Sequence, residues 1–197
     1  NRQAPAEIIA AMSVITHRIA MRGGVVGLQI LAGANEAALA VATICGVDFI
    51  RAEGFVFGHL ADEGWMNADA GELTRYRRRL GSDVSIFCDV QKKHSSHAVT
   101  ADLTLDDWFH GAEFSGAEGV IVTGRHTGDA LNEHDLGPLG NCRLPVLIGS
   151  GVTPENVGRY IGIVDGVIVG SALKHNGDWR EQICEQRARE MRAAVSV

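Results

Sequence analysis

Residues 84–91, VSIFCDVQ, alternate so regularly that each face of the segment can be followed separately. In an extended strand Val84, Ile86, Cys88 and Val90 share one side and Ser85, Phe87, Asp89 and Gln91 the other, because successive side chains point to opposite faces. The first side is apolar throughout; the second turns polar toward its C-terminal end. An open parallel sheet covered by helices on both sides would be apolar on both faces. A barrel accounts for the asymmetry, since its outward residues pack under helices while inward residues at the C-terminal mouth meet ligand.

The same division recurs in the runs VVGLQIL (25–31) and DFIRAE (48–53), where Val26, Leu28 and Ile30 oppose Gln29, and Ile50 and Ala52 oppose Arg51 and Glu53. Three more β-rich runs follow residue 91: GVIVTG (119–124), PVLIG (145–149) and GVIVG (166–170). Between the six runs lie NEAALAVATICG, DAGELTRYRRRLG, LDDWFHGAEFSG, residues 129–139 and TPENVGRYIG, each long enough for a crossover helix. Strand and helix in strict alternation imply a parallel sheet with right-handed crossovers, hence an α/β chain of the (β/α)8 TIM-barrel class. A helix over residues 5–23 precedes the first run, entering at Pro5, with Ile8, Met12, Ile15 and Ile19 as its apolar stripe.

Parity within the strands sends Gln29, Arg51, Glu53, Asp89, Gln91 and Thr123 into one mouth. The alternative is a structural network plugging the barrel, and ionised groups far from water would then have to be fully paired. So many polar side chains converging at strand ends favour a site.

Two glycine-serine turns stand after the last two runs. Gly149, Ser150 and Gly151 follow PVLIG and lead to Thr153, an expected N-cap with Pro154 at the first helical position; Gly170 and Ser171 follow GVIVG ahead of a short helix. In barrels the loops after the seventh and eighth strands commonly bind phosphate, where glycines admit backbone N–H groups to the anion. If these runs are the seventh and eighth strands, VVGLQIL is the third. The chain, which opens without methionine, is then expected to be an incomplete barrel of about six βα units, strands three to eight, with the first two strands missing.

Residues 88–102, CDVQKKHSSHAVTAD, follow the fifth strand and crowd an acid, two lysines and two histidines into one loop. Asp89 would act as a base, or orient and charge Lys93 or His94; Lys93 would bind an anion or donate a proton. His94 and His97, with Asp89 and Asp102 near, raise a divalent metal, although their spacing is not a recognised ligand signature. No cofactor is expected.

The whole chain sets the remaining bounds. A length of 197 residues with 46% hydrophobic and 21% charged composition fits a single folded domain over 1–197. A formal charge of −6 repels phosphate backbones and argues against nucleic-acid partners, and the basic cluster RYRRR (75–79) reads as a solvated helix face or a docking patch. Cys45, Cys88, Cys142 and Cys184 show no C-x-x-C pair and read as reduced, mostly buried thiols, which points to a cytoplasmic address. No apolar run is long enough to span a bilayer, so membrane association would be peripheral. A homo-oligomer stays open.

The segments GLQILAGAN, DFIRAEGFVFGHLADEG, RYRRRLG, DVQKKHSSHAVTAD, GVIVTGRHTG, GSGVTPENV and DGVIVGSALK together resemble the BtpA family of (β/α)8-barrel proteins, named for a photosystem I biogenesis protein. The resemblance covers essentially the whole chain. It implies a complete barrel with a region ahead of the first helix here, and a fifth-strand motif of an Asp followed four residues later by Lys-His, matched by Asp89, Lys93 and His94. Gln91 stands where that motif would carry Lys or His.

Two functions follow as expectations. The first is an enzyme (lyase, isomerase or hydrolase) acting on a small phosphorylated metabolite such as a sugar phosphate or nucleotide-like ester. Gly149, Ser150, Gly151, Gly170 and Ser171 would hold phosphate, Gln29, Arg51, Gln91 and Thr123 the rest of the substrate, and Glu53, Asp89, Lys93 and His94 would do the chemistry. The alternative, implied by the family name, is a non-enzymatic peripheral factor for the biogenesis of a membrane protein complex of the photosystem I type, contacting it through the arginine-rich helix and the C-terminal REQICEQRAREMRAAV.

Overall fold

The computed structural model describes residues 2–124 and 136–195. Its elements run α1 (Ala6–Ala20), β1 (Gly27–Leu28), α2 (Asn35–Cys45), β2 (Phe49–Ala52), β3 (His59–Ala61), β4 (Gly64–Met66), α3 (Ala70–Leu80), β5 (Ser85–Val90), β6 (Ser95–Ser96), α4 (Leu105–Phe114), β7 (Gly119–Val122), β8 (Val146–Ile148), β9 (Gly166–Val167) and α5 (Glu185–Val195). Six strands pair in parallel in the order β1-β2-β5-β7-β8-β9, and β4-β3-β6 make a small antiparallel sheet that the runs of the sequence did not announce.

The large sheet is curled, with its two faces divided as parity demands. Ile50, Ala52, Ile86, Cys88, Val120, Val122 and Ile148 point outward and are buried, beneath α2 and α4 where these helices cross the sheet. On the inner face, half-buried Phe49 and Phe87 meet with ring centroids 4.8 Å apart. Register sets a glycine beside three large inner residues: Gly27 opposite Phe49, Gly119 opposite Phe87, Gly166 opposite Leu147. A Cβ at Gly27 would fall 2.1 Å from the Phe49 ring, at Gly119 2.2 Å from the Phe87 ring, and at Gly166 2.9 Å from Leu147. Alternating small and large residues let the inner side of a tapering barrel wall close up.

Three expectations change. On α1 the expected stripe is mostly outside: Ile8, Ile15 and Ile19 are 45%, 53% and 48% exposed, whereas Thr16 is 4% exposed and Ile9, Met12 and Ala20 pack on the core. The reason is α2, which lies against α1 and whose terminal Cys45 thiol donates to the Ser13 carbonyl at 3.4 Å. That contact selects the face carrying residues 9, 12, 16 and 20. TPENVGRYIG forms only a single turn of 3₁₀ helix, Val157–Arg159. Gly158 and Gly162 lower helix propensity there, and the Asn156 side chain instead brackets the turn, accepting from Thr153 N–H and donating to the Gly151 carbonyl, each at 2.8 Å. The expected helix over 129–139 falls largely on residues outside those described; the part after residue 135 ends in a 3₁₀ turn, Gly137–Asn141. Of the cysteines, all unpaired, Cys88 alone is fully buried.

The glycine layer generates a test. Gly119→Ala should lower stability by about 1–3 kcal/mol, the usual cost of overpacking. In a double-mutant cycle with Phe87→Ala, read by denaturant unfolding, the two losses should add to clearly less than their sum. Simple additivity would clear the ring of blame.

Candidate functional site

The chain leaves β8 and β9 through the two glycine-serine turns, and both face one cavity of about 340 Å³. That lies at the small end of the range for small-molecule sites, about 300–1,000 Å³. Gly149, Ser150, Gly151, Gly170 and Ser171 all line it, with Thr153, Arg51, Lys93 and Arg187. Among the described residues the lining carries three cations and no carboxylate. Gly149 can occupy this wall only without a side chain: a Cβ there would sit 2.8 Å from methyls of Ile121 and Thr123 and 3.6 Å from the Arg51 guanidinium. Gly151 takes a left-handed φ of +71°, which turns the chain back across the strand end. Gly124 N–H donates to Ser150 Oγ at 2.9 Å, tying this turn to the end of β7.

Arg51 is set by Asp89. Its Nε and Nη2 each lie 2.9 Å from Asp89 Oδ1, across neighbouring strands β2 and β5. The Asp89 side chain is wholly buried and its Oδ2 has no hydrogen-bond partner among the described residues. Burial pushes this carboxyl above its usual range, against the pull of Arg51. Asp89 therefore stands behind the guanidinium and outside the cavity lining. Lys93 lines the cavity, its own N–H donating to Thr123 Oγ1 at 3.1 Å. Partial burial, then repulsion from Arg51, holds its amine below the ordinary lysine range.

A second polar group forms around Glu53, which is 2% exposed. Gln29 Nε2–H donates to its Oε1 and Gly33 N–H to its Oε2, each at 2.8 Å. Lys92, itself buried, places Nζ 3.6 Å from Glu53 Oε2 and 3.0 Å from Glu63 Oε2. Burial raises the Glu53 carboxyl, an effect that Lys92 opposes. Glu63 comes from the β3–β4 hairpin, which is joined to the same loop by Leu60 opposite Ser96, Ala61 opposite Ser95, and Asp62 N–H donating to the His94 carbonyl at 3.1 Å.

The structure thus gathers Arg51, Asp89, Lys93 and Thr123 with the five turn residues, and sets Gln29 and Glu53 in the adjoining group. Gln91 and His94 are not among the residues lining the cavity. Both have left-handed backbones, φ +49° and +57°, so strand parity ends with β5 at Val90 and no longer governs where they point. Lys92, Glu63 and Arg187 escaped the sequence reading. The signal for Lys92 was the adjacent Lys-Lys pair, of which only one could follow Asp89 into the mouth.

His97 sits under the small sheet, its Nε2 3.0 Å from the Lys92 carbonyl and its ring 5.3 Å from that of His59. His59 is buried, and burial lowers it to about 4, so its ring is neutral at pH 7. Among the described residues no group of three or more His, Cys, Asp or Glu is placed to hold a metal ion. Among them, too, no helix is long and apolar enough to cross a membrane. In the basic cluster, Arg77 is held by Glu118 at 2.7 Å and Arg79 lies over the Tyr76 ring.

Comparison with known proteins extends these findings. The BtpA family profile matches residues 1–196. An uncharacterised mitochondrial protein of Caenorhabditis elegans is 42% identical over 185 residues, covering 90% of this chain and 66% of its own length. The photosystem I biogenesis protein BtpA of Synechocystis is 37% identical over 181 residues, covering 89% of this chain and 62% of its own. The chain therefore spans just under two thirds of the length of these two relatives. Among solved structures, a mutant tryptophan synthase alpha-subunit from Pyrococcus furiosus superposes with a TM-score of 0.64 at 18% identity, covering 94% of this chain and 72% of that one. A 3-keto-L-gulonate-6-phosphate decarboxylase from Vibrio cholerae gives 0.59 at 17% identity, covering 96% and 79%. At such identities the likeness is one of fold.

The Arg51 pairing sets an expectation for stability. Asp89→Ala leaves a mostly buried guanidinium without its carboxylate and should cost about 3–5 kcal/mol in denaturant unfolding. Asp89→Asn, which keeps an acceptor oxygen in place, should cost less. A loss below about 1 kcal/mol for the alanine variant would mean that Arg51 does not depend on Asp89.

Proposed function

This chain belongs to the BtpA family, and on that footing we propose that it forms the greater part of an enzyme that binds a phosphorylated small molecule at its C-terminal mouth and acts on it by acid/base chemistry. The observation that carries the reading is the cavity: two glycine-serine turns facing one space whose other described walls supply Arg51, Lys93 and Arg187 and no acid. Backbone N–H groups and cations around a concave site suit an oxyanion. The fold likeness to an enzyme named for a sugar-acid phosphate points the same way. In this reading Gly149, Ser150, Gly151, Gly170 and Ser171 hold the phosphate and Lys93 neutralises it. Glu53, a buried carboxyl moved toward neutrality, takes or returns a proton, with Gln29 and Lys92 fixing its position. Asp89 acts through Arg51.

The test is a thermal-shift series with sugar phosphates and inorganic phosphate. Ligand at about a hundred times its Kd stabilises by about 2.7 kcal/mol, so a clear upward shift is expected, and Lys93→Met should abolish it. No shift with any phosphorylated compound would remove the reading. The name of the Synechocystis relative, together with the exposed strip of Ile8, Ile15 and Ile19, favours a second reading as an assembly factor for a membrane complex. Flotation of the chain with vesicles in the absence of any phosphate response would select it.

The proposal includes the architecture. The chain would be strands three to eight of a single (β/α)8 barrel, with two further strands supplied by sequence outside these 197 residues. Supporting this, β1 pairs with β2 and β9 with β8, and neither has a second neighbour among the described residues. Open edges of this kind template association. The chain alone should self-associate in size-exclusion chromatography with light scattering, and joining it to the N-terminal region of a relative should raise its melting temperature. A monodisperse monomer that unfolds cooperatively would overturn the six-of-eight assignment.

A further inference from the structure

Arg187 is the cation that no strand end supplies. It projects from α5, and its Nε–H donates to the Ala172 carbonyl at 2.5 Å, which clamps the guanidinium against the turn carrying Gly170 and Ser171. From there it lines the same cavity as Lys93. The helix is itself anchored at this point, since Cys184 N–H donates to the Leu173 carbonyl at 2.8 Å and Met191 is buried. Arg187 is thus a fixed part of the wall.

The charges around the cavity divide unevenly. Arg51 has the Asp89 carboxylate directly behind it, 2.9 Å away. Lys93 feels the Asp89 and Glu53 carboxylates only from behind the cavity wall, and among the described lining residues neither Lys93 nor Arg187 has a carboxylate beside it. Glu155, the acid that senses Arg187, is fully exposed and engaged with Thr153. Solvent and salt screen a charge in that position. Two cations face one small space whose described lining holds no acid, an arrangement suited to a single head group bearing two negative charges. A phosphomonoester carries about −1.5 to −2 near neutral pH, with three acceptor oxygens for a guanidinium fork. A phosphodiester carries one charge and two such oxygens.

We infer that Arg187 and Lys93 make this cavity selective for the dianion of a phosphomonoester, with Arg187 gripping it from the C-terminal helix. The inference rests on the phosphate reading above and narrows the substrate to monoesters; diesters and simple carboxylates would be poor ligands. Arg187 is then the residue that couples α5 to the mouth.

Calorimetric titration of the chain at pH 8 with methyl phosphate and dimethyl phosphate tests it. Methyl phosphate should bind at least about tenfold more tightly than the diester, the scale of one charge-assisted hydrogen bond. Arg187→Met and Lys93→Met should each weaken methyl phosphate by about tenfold or more and shrink its preference over the diester. Arg187→Lys should keep part of the affinity, and Arg189→Gln, exposed on the same helix and paired with Glu185, should leave it unchanged. Equal binding of the two esters by the wild-type chain, or an undiminished preference in either methionine variant, overturns the inference while leaving the phosphate site standing. If Arg187→Met does not fold, the Lys93→Met result decides alone. Failure of both esters to bind the wild-type chain defeats the phosphate reading, and this inference with it.

Discussion

The Arg51 guanidinium and the Asp89 carboxylate meet across β2 and β5 on the inner side of the curled sheet, and the mouth is built around that contact. A guanidinium just above a layer of phenylalanine rings would be costly without a partner, and the carboxylate is more buried than the guanidinium it holds. With Arg51 set in place, its far side becomes a wall of the cavity. The chain after β8 can lie close to it because Gly149 has no side chain to collide with Ile121 and Thr123. One ion pair and one absent Cβ therefore define the depth of the site.

The two faces of the sheet divide the work. Outward residues of the central strands are fully buried and belong to stability, whereas on the inner face Phe49 and Phe87 are half-buried and polar side chains gather at the strand ends. The loop after β5 is held from three directions: Thr123 receives the Lys93 N–H, the β3–β4 hairpin pairs with Ser95 and Ser96, and Glu63 reaches Lys92. This explains the density of chemistry in that segment. Lys92 and Lys93, adjacent in sequence, serve different groups, one beside buried Glu53 and the other in the cavity under the glycine-serine turns.

On the proposed reading, a site assembled in this way lets the reacting end and the binding end of a ligand be tuned separately. Glu53 and its donors lie on the side of β1 and β2, the glycine-serine turns on the side of β8 and β9, and Arg51 with Lys93 stands between them. Such separation suits chemistry in which binding energy gathered at a remote phosphate is used at another atom of the same molecule.

Within regular strands the sequence by itself determined a great deal. Period-two alternation put Arg51, Asp89 and Thr123 on the inner face, the glycine-serine turns marked where the cavity would be, and the run of strands and helices announced a parallel sheet. These features depend on local geometry, which neighbouring residues dictate. Tertiary structure decided the rest. Helix α1 offers two apolar stripes at helical spacing, and only its contact with α2 chose residues 9, 12, 16 and 20 over 8, 15 and 19. Once the backbone turns left-handed at Gln91, parity says nothing, so the divergent fates of Lys92 and Lys93 depended on where Glu63 and the cavity lie. Arg187 joins Gly149 and Lys93 from far along the chain because α5 packs back on the turn after β9. Contacts between residues distant in sequence have no period that a single chain can display.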